Sequence, residues 1–215
     1  MKRLEYILFI LFFVTFFSCT SVKSEFLITE ISENEAIITE YTGKSSLVMI
    51  PSKIDNYKII AIDCGEAKSL QNKYIEILVI PKSIKYISPG FVTGCIMLKK
   101  IKVSPFSETY CDKNGILFSK DNSILISFPP NYYNSVLAHS YKVPEGVQKI
   151  EKFAFRECNN ISQVELPQSV KELGAGAFAS CYELKKINLP ENLEIIGEAC
   201  FADCKLKGAW NKWMN

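Results

Sequence analysis

The chain has 215 residues, of which 48% are hydrophobic and 22% are charged, and this composition is typical of a folded protein rather than a disordered one. Its formal net charge is +2. A charge this small does not predict binding to nucleic acid or to an anionic surface. The lysines at Lys99-Lys100 and Lys185-Lys186 are therefore interpreted as part of a solvated face, with a polyanion-binding patch as the alternative.

Residues 1–18 are predicted to be a signal peptide for export. Lys2 and Arg3 precede an apolar run at 7–17, which is shorter than the about 20 residues needed to cross a membrane. The segment ends in Ser18-Cys19, which resembles the cleavage site of bacterial lipoproteins. The resemblance implies cleavage before Cys19 and lipid attachment at Cys19, which would hold the protein to a membrane. An ordinary signal peptide that leaves Cys19 as a free thiol is the alternative.

The segment between this signal and the repeats is interpreted in two parts. Residues 19–25 are a short polar tether. Residues 26–50 alternate between apolar and polar side chains, which predicts two or three antiparallel strands. These strands would form a β cap that covers the open N-terminal edge of the structure that follows.

A repeat with a fixed period organises the chain over 51–206. Shifting the sequence by 23 places Val164 on Ile187, Phe178 on Phe201 and, in the same way, the cysteine of one unit on that of the next. A fixed period of this length is typical of a solenoid, in which each unit packs only on its neighbours.

Each unit opens with an alternating apolar and polar segment that ends at a proline, as at Val164–Pro167. This pattern predicts a very short strand with one buried face, because proline cannot continue a hydrogen-bonded ladder. Val170 and Leu173 follow at a spacing of three, which predicts a helical turn or a 3₁₀ segment. Gly174 stands where the chain must turn sharply.

Two places interrupt the period. The interval from Val48 to Leu78 is longer than one period, so the first unit carries about seven extra residues, placed near Asn56-Tyr57 or within 66–72. The interval from Ile101 to Tyr141 is longer still. The second excess is explained by a hairpin insert at 111–130, with strands at 115–119 and 124–128 and a tight turn between them.

Cysteine recurs in one slot of the repeat, at Cys95, Cys158, Cys181 and Cys204. A stack of buried thiols explains this pattern, since cysteine behaves as a small hydrophobic residue in a protein core. A Cys181–Cys204 disulfide is the alternative, because neighbouring rungs lie about 4.8 Å apart. Cys200 and Cys204 lack a second pair at zinc spacing, so neither a metal nor any other cofactor is predicted.

The C-terminal tail, residues 207–215, contains Trp210 and Trp213. These two side chains are expected to cover the last rung of the repeat. An exposed contact site is the alternative.

The repeat resembles the BspA-type leucine-rich repeat family. The resemblance is carried by LPxxVxxLGxGAFxxC at 166–181, by its copies at 143–158, 189–204 and more loosely 80–95, and by the insert at 112–130. It implies an α/β leucine-rich-repeat solenoid over residues 26–206. Short strands would stack into one sheet, with turns or short helices on the outer face, an N-terminal β cap and one inserted β-hairpin. The family's exported members are linked to adhesion and protein binding, and the resemblance carries over no catalytic residue.

Nothing in the sequence predicts an enzyme. The single histidine, His139, lies in the linker after the insert and has no catalytic motif around it. What varies between the rungs is the outward side of the strands, which is either an indifferent solvent face or a mixed-charge binding strip. The residues of this candidate binding face are Val79, Lys100, Lys102, Lys142, Gln163, Glu165, Lys186 and Asn188.

The sequence therefore predicts an exported protein of the bacterial cell envelope, held to the membrane by lipid at Cys19, with exposure at the cell surface left open. Its expected role is that of a non-catalytic protein-binding or adhesion module. Its partner would be a host or envelope protein, and no nucleic acid is expected. The alternative is a structural envelope component or a polysaccharide-binding protein that has no protein partner.

Overall fold

The computed structural model describes residues 25–64, 69–132 and 139–206. The predicted signal peptide, the lipid site at Cys19 and the tail with Trp210 and Trp213 lie outside the described residues. No helix long and apolar enough to cross a membrane occurs in the described part of the chain.

The described residues form short β-strands joined by turns. In chain order the strands are β1 Phe26–Glu30, β2 Glu35–Tyr41, β3 Leu47–Met49, β4 Lys53–Ile54, β5 Tyr57–Ile62, β6 Ile77–Ile80, β7 Tyr86–Ile87, β8 Lys100–Val103, β9 Tyr110–Lys113, β10 Ile116–Ser119, β11 Ile124–Ser127, β12 Ser140–Lys142, β13 Lys149–Ile150, β14 Gln163–Glu165, β15 Glu172–Leu173, β16 Lys186–Ile187 and β17 Ile195–Ile196.

Each regular unit contributes one strand to each of two parallel sheets. The opening strands form β12-β14-β16, in which Tyr141 pairs with Val164 and Val164 with Ile187. The second strands form β13-β15-β17, in which Leu173 pairs with Ile196. The two members of every one of these pairs are exactly one period apart in the sequence, so the structure confirms the solenoid that the period predicts.

The sequence leaves turns or short helices open for the outer face. The described residues contain strands and turns only, so the turns are confirmed and the short helices are wrong. A helix needs consecutive bonds between N–H groups and carbonyls four residues earlier. Here alternate N–H groups donate to carbonyls outside their own turn. Ala177 N–H donates to the Gly174 carbonyl within the turn at 3.1 Å, but Phe178 N–H donates to the Cys200 carbonyl of the next rung at 2.8 Å. The outer face is therefore a ladder of stacked turns, and the α/β description of the fold does not hold.

A column of phenylalanine rings runs through the C-terminal core. Phe155 stacks on Phe178 with ring centroids 4.8 Å apart, and Phe178 stacks on Phe201 at 5.5 Å. Phe128 of the insert adds a further ring at 4.7 Å from Phe155. All four rings are fully buried, so the equivalent positions of successive units share one environment.

The N-terminal cap is smaller than predicted. Strands β1 and β2 pair antiparallel, as expected, but β2 pairs parallel with β5 and β3 pairs parallel with β6. Because Val48 lies opposite Leu78 in that parallel ladder, β3 is the opening strand of a repeat unit and not a cap strand. The β4-β5 hairpin accommodates extra residues at Asn56-Tyr57, one of the two places that the sequence indicates.

The insert is confirmed as a hairpin, since β10 and β11 pair antiparallel. The sequence misses its third strand, β9, which pairs with the other side of β10. The insert also supplies a rung of the solenoid, because β11 pairs parallel with β13, with Leu125 opposite Ile150.

The N-terminal and C-terminal parts of the solenoid also meet at the stacked turns. The Gly94 N–H donates to Glu157 Oε2 at 2.7 Å, and a Cβ at Gly90 would lie 2.8 Å from the Phe153 ring. Gly90 and Gly94 share positive φ with Phe153 and Glu157. In this register Phe91 takes the position of Ala154, and Val92 takes that of Phe155.

Candidate binding face

The predicted outward positions do point away from the core. On β14, Val164 is buried, whereas Glu165 is exposed and Gln163 is half-buried. Exposed outward side chains elsewhere on the opening strands are Lys100, Lys102, Lys142 and Lys186, and Val79 is half-buried. Asn188, directly after β16, is also exposed. Alternation along a strand is sufficient to predict this orientation, because successive side chains point to opposite faces.

These residues do not lie on the one continuous sheet that the sequence predicts. They are divided between two parallel sheets, β3-β6-β8 and β12-β14-β16. The insert packs beside β8: Gly115 accepts from the Ile101 N–H at 2.8 Å, and Asp112 accepts from the Val103 N–H at 2.8 Å. Lys102 also lies 3.8 Å from the Asp112 carboxylate. The insert therefore takes the place beside β8 that the next opening strand would need.

The C-terminal sheet carries an open depression of about 390 Å³, which we call the polar groove. Its floor includes Val164, Leu166 and Pro167, and its polar lining consists of Lys142, Glu145, Gln163, Glu165, Gln168, Lys186 and Asn188. Five of the eight predicted face residues thus line one groove, whereas Val79, Lys100 and Lys102 belong to the other sheet.

Asn188 has a structural role in this groove. Its Nδ2 donates to the Leu166 carbonyl and its Oδ1 accepts from the Leu166 N–H, both at 2.8 Å. The side chain thus continues the ladder between β14 and β16 beyond their backbone pairing. Since both polar atoms of the amide are occupied by Leu166, Asn188 contributes shape to the groove more than free hydrogen-bonding capacity.

The charged groups of the groove are only partly neutralised. Gln163 Nε2 donates to Glu165 Oε1 at 3.1 Å. Within the described part of the chain, Lys142 and Lys186 have no ion pair. The groove therefore presents two ammonium groups, carboxylates and amide groups to any ligand that enters it.

The N-terminal sheet carries an aliphatic face that the sequence interpretation misses. Leu47 and Met49 point outward from β3 and are 47% and 55% exposed. Ile77 and Val79 lie opposite them on β6 and are half-buried. The sequence does contain the pattern that identifies this face. Leu47-Val48-Met49 matches Ile77-Leu78-Val79 if the first unit is allowed to be longer than one period.

The four cysteines of the repeat slot are buried, and they are free thiols: Cys95, Cys158, Cys181 and Cys204. Cys181 Sγ donates to the Phe155 carbonyl at 2.9 Å, and Cys204 Sγ donates to that of Phe178 at 3.1 Å. Burial raises the pKa of the Cys95 thiol to about 11 and that of Cys200 to about 12. Cys95 and Cys200 are therefore protonated at neutral pH and are poor nucleophiles.

The remaining candidates for chemistry have structural explanations. His139 is exposed, and its Nδ1 lies 2.9 Å from the Asn160 carbonyl oxygen, where it holds the start of β12. The described residues contain no group of three or more histidine, cysteine or acidic side chains that could hold a metal ion.

Comparison with known structures places the fold among bacterial leucine-rich repeat proteins. The chain is similar to a leucine-rich repeat protein from Eubacterium ventriosum, with 26% identity, a TM-score of 0.57 and coverage of 63% of this chain but only 37% of that one. A T. pallidum leucine-rich repeat protein aligns with 90% of this chain and 92% of its own, at 23% identity and a TM-score of 0.51. A leucine-rich cell surface protein from Faecalibacterium prausnitzii aligns with 89% of this chain and 82% of its own, at 17% identity and a TM-score of 0.54.

The last two similarities concern the fold alone. None of the curated proteins compared with the chain matches it. The family described as "BspA type Leucine rich repeat region" matches in 6 copies over residues 126–209. That range begins in β11 and includes all the regular units whose strands, stacked turns and phenylalanine column are described above. Residues 126–209, less than half of the chain, are thus similar to the BspA-type leucine-rich repeat family.

Proposed function

We propose that this chain is an exported protein of the bacterial cell envelope, anchored to the membrane by lipid at Cys19, that binds another protein through the polar groove. The observation that carries the proposal is the groove itself, in which outward side chains of three successive rungs meet over an apolar floor. Exposed sheet faces of this kind are the usual binding surfaces of solenoid proteins.

The chemistry of the groove favours a polypeptide as its ligand. Lys142, Lys186 and Glu165 offer both signs of charge, and Gln163 adds an amide. A polypeptide carries acidic, basic and amide groups at spacings that match stacked strands. Sugar rings, by contrast, bind well where aromatic side chains offer a flat surface, and none of the residues that line this groove is aromatic.

A binding role is also favoured over a catalytic one. The Cys95 and Cys200 thiols are buried and protonated, and the His139 side chain lies against a backbone carbonyl. A nucleophile needs a base within hydrogen-bond reach, and the residues that line the groove bring no such pair together. We therefore interpret the repeat as a scaffold that displays a surface.

Reversing charges in the groove tests the binding proposal. The double variant Lys142→Glu/Glu165→Lys should lose at least tenfold in affinity for a partner that the native protein retains from envelope extracts. Lys102→Glu, on the other sheet, and Lys85→Glu, an exposed lysine before β7, are the matched controls and should bind as the native protein does. Equal retention by all the variants would move the site away from the groove, and binding to purified glycans alone would favour the polysaccharide alternative.

The lipid anchor is tested separately. Intact-mass spectrometry of the protein from native membranes should show an N-terminus at Cys19 that carries acyl chains. A Cys19→Ala variant should leave the membrane fraction. A mass that corresponds to an unmodified Cys19 thiol would contradict the anchor while leaving the groove proposal intact.

A further inference from the structure

Three charged side chains of the polar groove lie on successive rungs. Lys142 is on β12, Glu165 is on β14 and Lys186 is on β16, and all three are exposed. Within the described residues none of the three takes part in an ion pair. Their charges are therefore available to a ligand.

The strand register fixes the relative positions of these residues. Lys142 lies directly opposite Glu165, whereas Lys186 lies opposite Gln163, two residues earlier on β14. Neighbouring strands are about 4.8 Å apart, and a strand rises about 3.3 Å per residue. The Cα atoms of Lys142 and Lys186 are therefore about 12 Å apart, on a diagonal across the sheet.

The carboxylate of Glu165 lies close to the middle of this diagonal. Gln163 Nε2 donates to Glu165 Oε1 at 3.1 Å, which draws the carboxylate along β14 toward Gln163 and over Val164. Val164 is also the residue at which the diagonal crosses β14, because it stands between the two paired positions. The groove thus presents a cation, an anion and a cation in line, at steps of about 6 Å.

The amide groups of the groove offer less to a ligand than these charges do. Asn188 uses both polar atoms of its side chain on the Leu166 backbone. Gln168 Oε1 accepts from the Glu191 N–H at 3.2 Å. The three charged groups therefore dominate the choice of ligand.

An extended polypeptide has the same spacing as this row of charges, since its alternate side chains point to one face and are about 6.6 Å apart. We infer that the polar groove recognises an extended segment with an acidic residue, a basic residue two positions later and a second acidic residue four positions later. The acidic side chains face Lys142 and Lys186, and the basic one faces Glu165. This inference rests on the proposed binding role of the groove, and it makes charge order, rather than net charge, the source of specificity.

Three synthetic peptides with blocked termini test the charge order. The first, Thr-Glu-Thr-Lys-Thr-Glu-Thr, has the inferred order and spacing. The second, Thr-Lys-Thr-Glu-Thr-Lys-Thr, reverses every charge, and the third, Thr-Thr-Glu-Lys-Glu-Thr-Thr, has the composition of the first at a different spacing. In fluorescence anisotropy with the full-length protein in neutral detergent, the first labelled peptide should bind about tenfold more tightly than either of the others.

The matched variant exchanges the three charges of the groove. Lys142→Glu/Glu165→Lys/Lys186→Glu alters exposed side chains only, and urea unfolding checks that it is folded. It should prefer the second peptide to the first. Lys142→Ala/Lys186→Ala should bind the first and third peptides equally, and Lys85→Glu, which lies outside the groove, should keep the native preference.

The outcomes separate this inference from the proposed function. Equal affinity of the native protein for the three peptides, or binding of none, overturns the inference, and so does a folded charge-exchanged variant that keeps the native preference. Polygalacturonate, a polyanion without cationic groups, should bind less tightly than the first peptide, and tighter binding overturns the inference in favour of an acidic polysaccharide. An envelope protein that the native chain retains and Lys142→Glu/Glu165→Lys loses would uphold the proposed function even where the peptides fail.

Discussion

The ring of Phe178 lies almost parallel to that of Phe155, with centroids 4.8 Å apart and an angle of 17° between the planes. The two residues are one period apart in the sequence, and each donates its N–H to the next rung, Phe155 to Ala177 at 2.7 Å and Phe178 to Cys200 at 2.8 Å. The same residues thus form the core and set the spacing between rungs. The spacing of the side chains on the exposed face therefore depends on this column.

Replacing Phe178 by alanine should therefore destabilise the protein strongly. The ring is fully buried between two others, and such a truncation costs about 3–5 kcal/mol. Urea unfolding followed by circular dichroism measures the loss. Phe106→Ala is the control, because that ring is 77% exposed and its removal should change stability by less than about 0.5 kcal/mol. Equal effects of the two substitutions would contradict the column.

The side chain of Asn188 offers a second test, which distinguishes a role in stabilising the fold from a role in binding a ligand. Asn188→Ala removes both bonds to the Leu166 backbone and should cost about 1–3 kcal/mol, since hydrogen bonds contribute about 0.5–1.5 kcal/mol each. Lys186→Ala, at an exposed position two residues earlier and without an ion pair in the described residues, should leave the unfolding midpoint unchanged. A neutral Asn188→Ala would show that the side chain is free for a ligand.

Much of the fold follows from the sequence because the rungs repeat. The apolar slots that recur once per period identify Val164 with Ile187 and Phe178 with Phe201, and both pairs stack as expected. The turn segments could not be assigned correctly, since a spacing of three such as that of Val170 and Leu173 fits a helix and a solenoid corner equally well. Only the partners of the N–H groups distinguish the two, and those lie on the neighbouring rung.

The candidate face was only partly predictable for a related reason. Alternation shows that Lys102 and Lys142 both point outward, but it does not show that the insert lies beside β8. That arrangement depends on the contacts of Asp112 and Gly115 with β8, which no repeat pattern encodes. Leu47 and Met49 were missed for a similar reason. Because the first unit has an irregular length, their strand was assigned to the cap and not to the repeat.

The buried thiols predict how stability depends on alkaline pH. In the unfolded chain a thiol ionises near its ordinary pKa of 9.0, whereas burial raises the pKa of Cys200 to about 12 in the folded protein. Above pH 9 the unfolded state therefore binds fewer protons, and stability falls as pH rises. Each such thiol contributes about 1.4 kcal/mol per pH unit to this fall, and below pH 8 the contribution is constant.

Urea midpoints measured from pH 7 to pH 11 check this expectation. A Cys200→Ala variant should lose stability less steeply above pH 9 than the native protein, because one buried thiol is missing. Identical slopes for the two proteins would show that Cys200 ionises in the folded state as readily as in the unfolded chain.

Gly174 marks the closest approach of two rungs and gives a further prediction. A Cβ there would overlap the Lys152 backbone nitrogen and would lie 2.8 Å from the Glu151 carbonyl carbon, so Gly174→Ala must separate the rungs. We expect a cost at or above the upper end of the about 1–3 kcal/mol typical of overpacking. Gly146→Ala is the comparison, because its φ is +89° but its Cβ would meet nothing within 4 Å.

Thermal unfolding of the two glycine variants should place Gly174→Ala clearly below Gly146→Ala, which bears backbone strain of about 1–2 kcal/mol alone. The reverse order would mean that contact between rungs at Gly174 is loose.

Site-specific photo-crosslinking in intact cells tests the central functional claim most directly. A photoreactive amino acid at position 163, in the polar groove, should give one dominant adduct with another protein. The same amino acid at position 172, on the opposite sheet in β15, should give none. Adducts of equal yield at both positions, or at position 172 alone, would contradict a binding site in the groove.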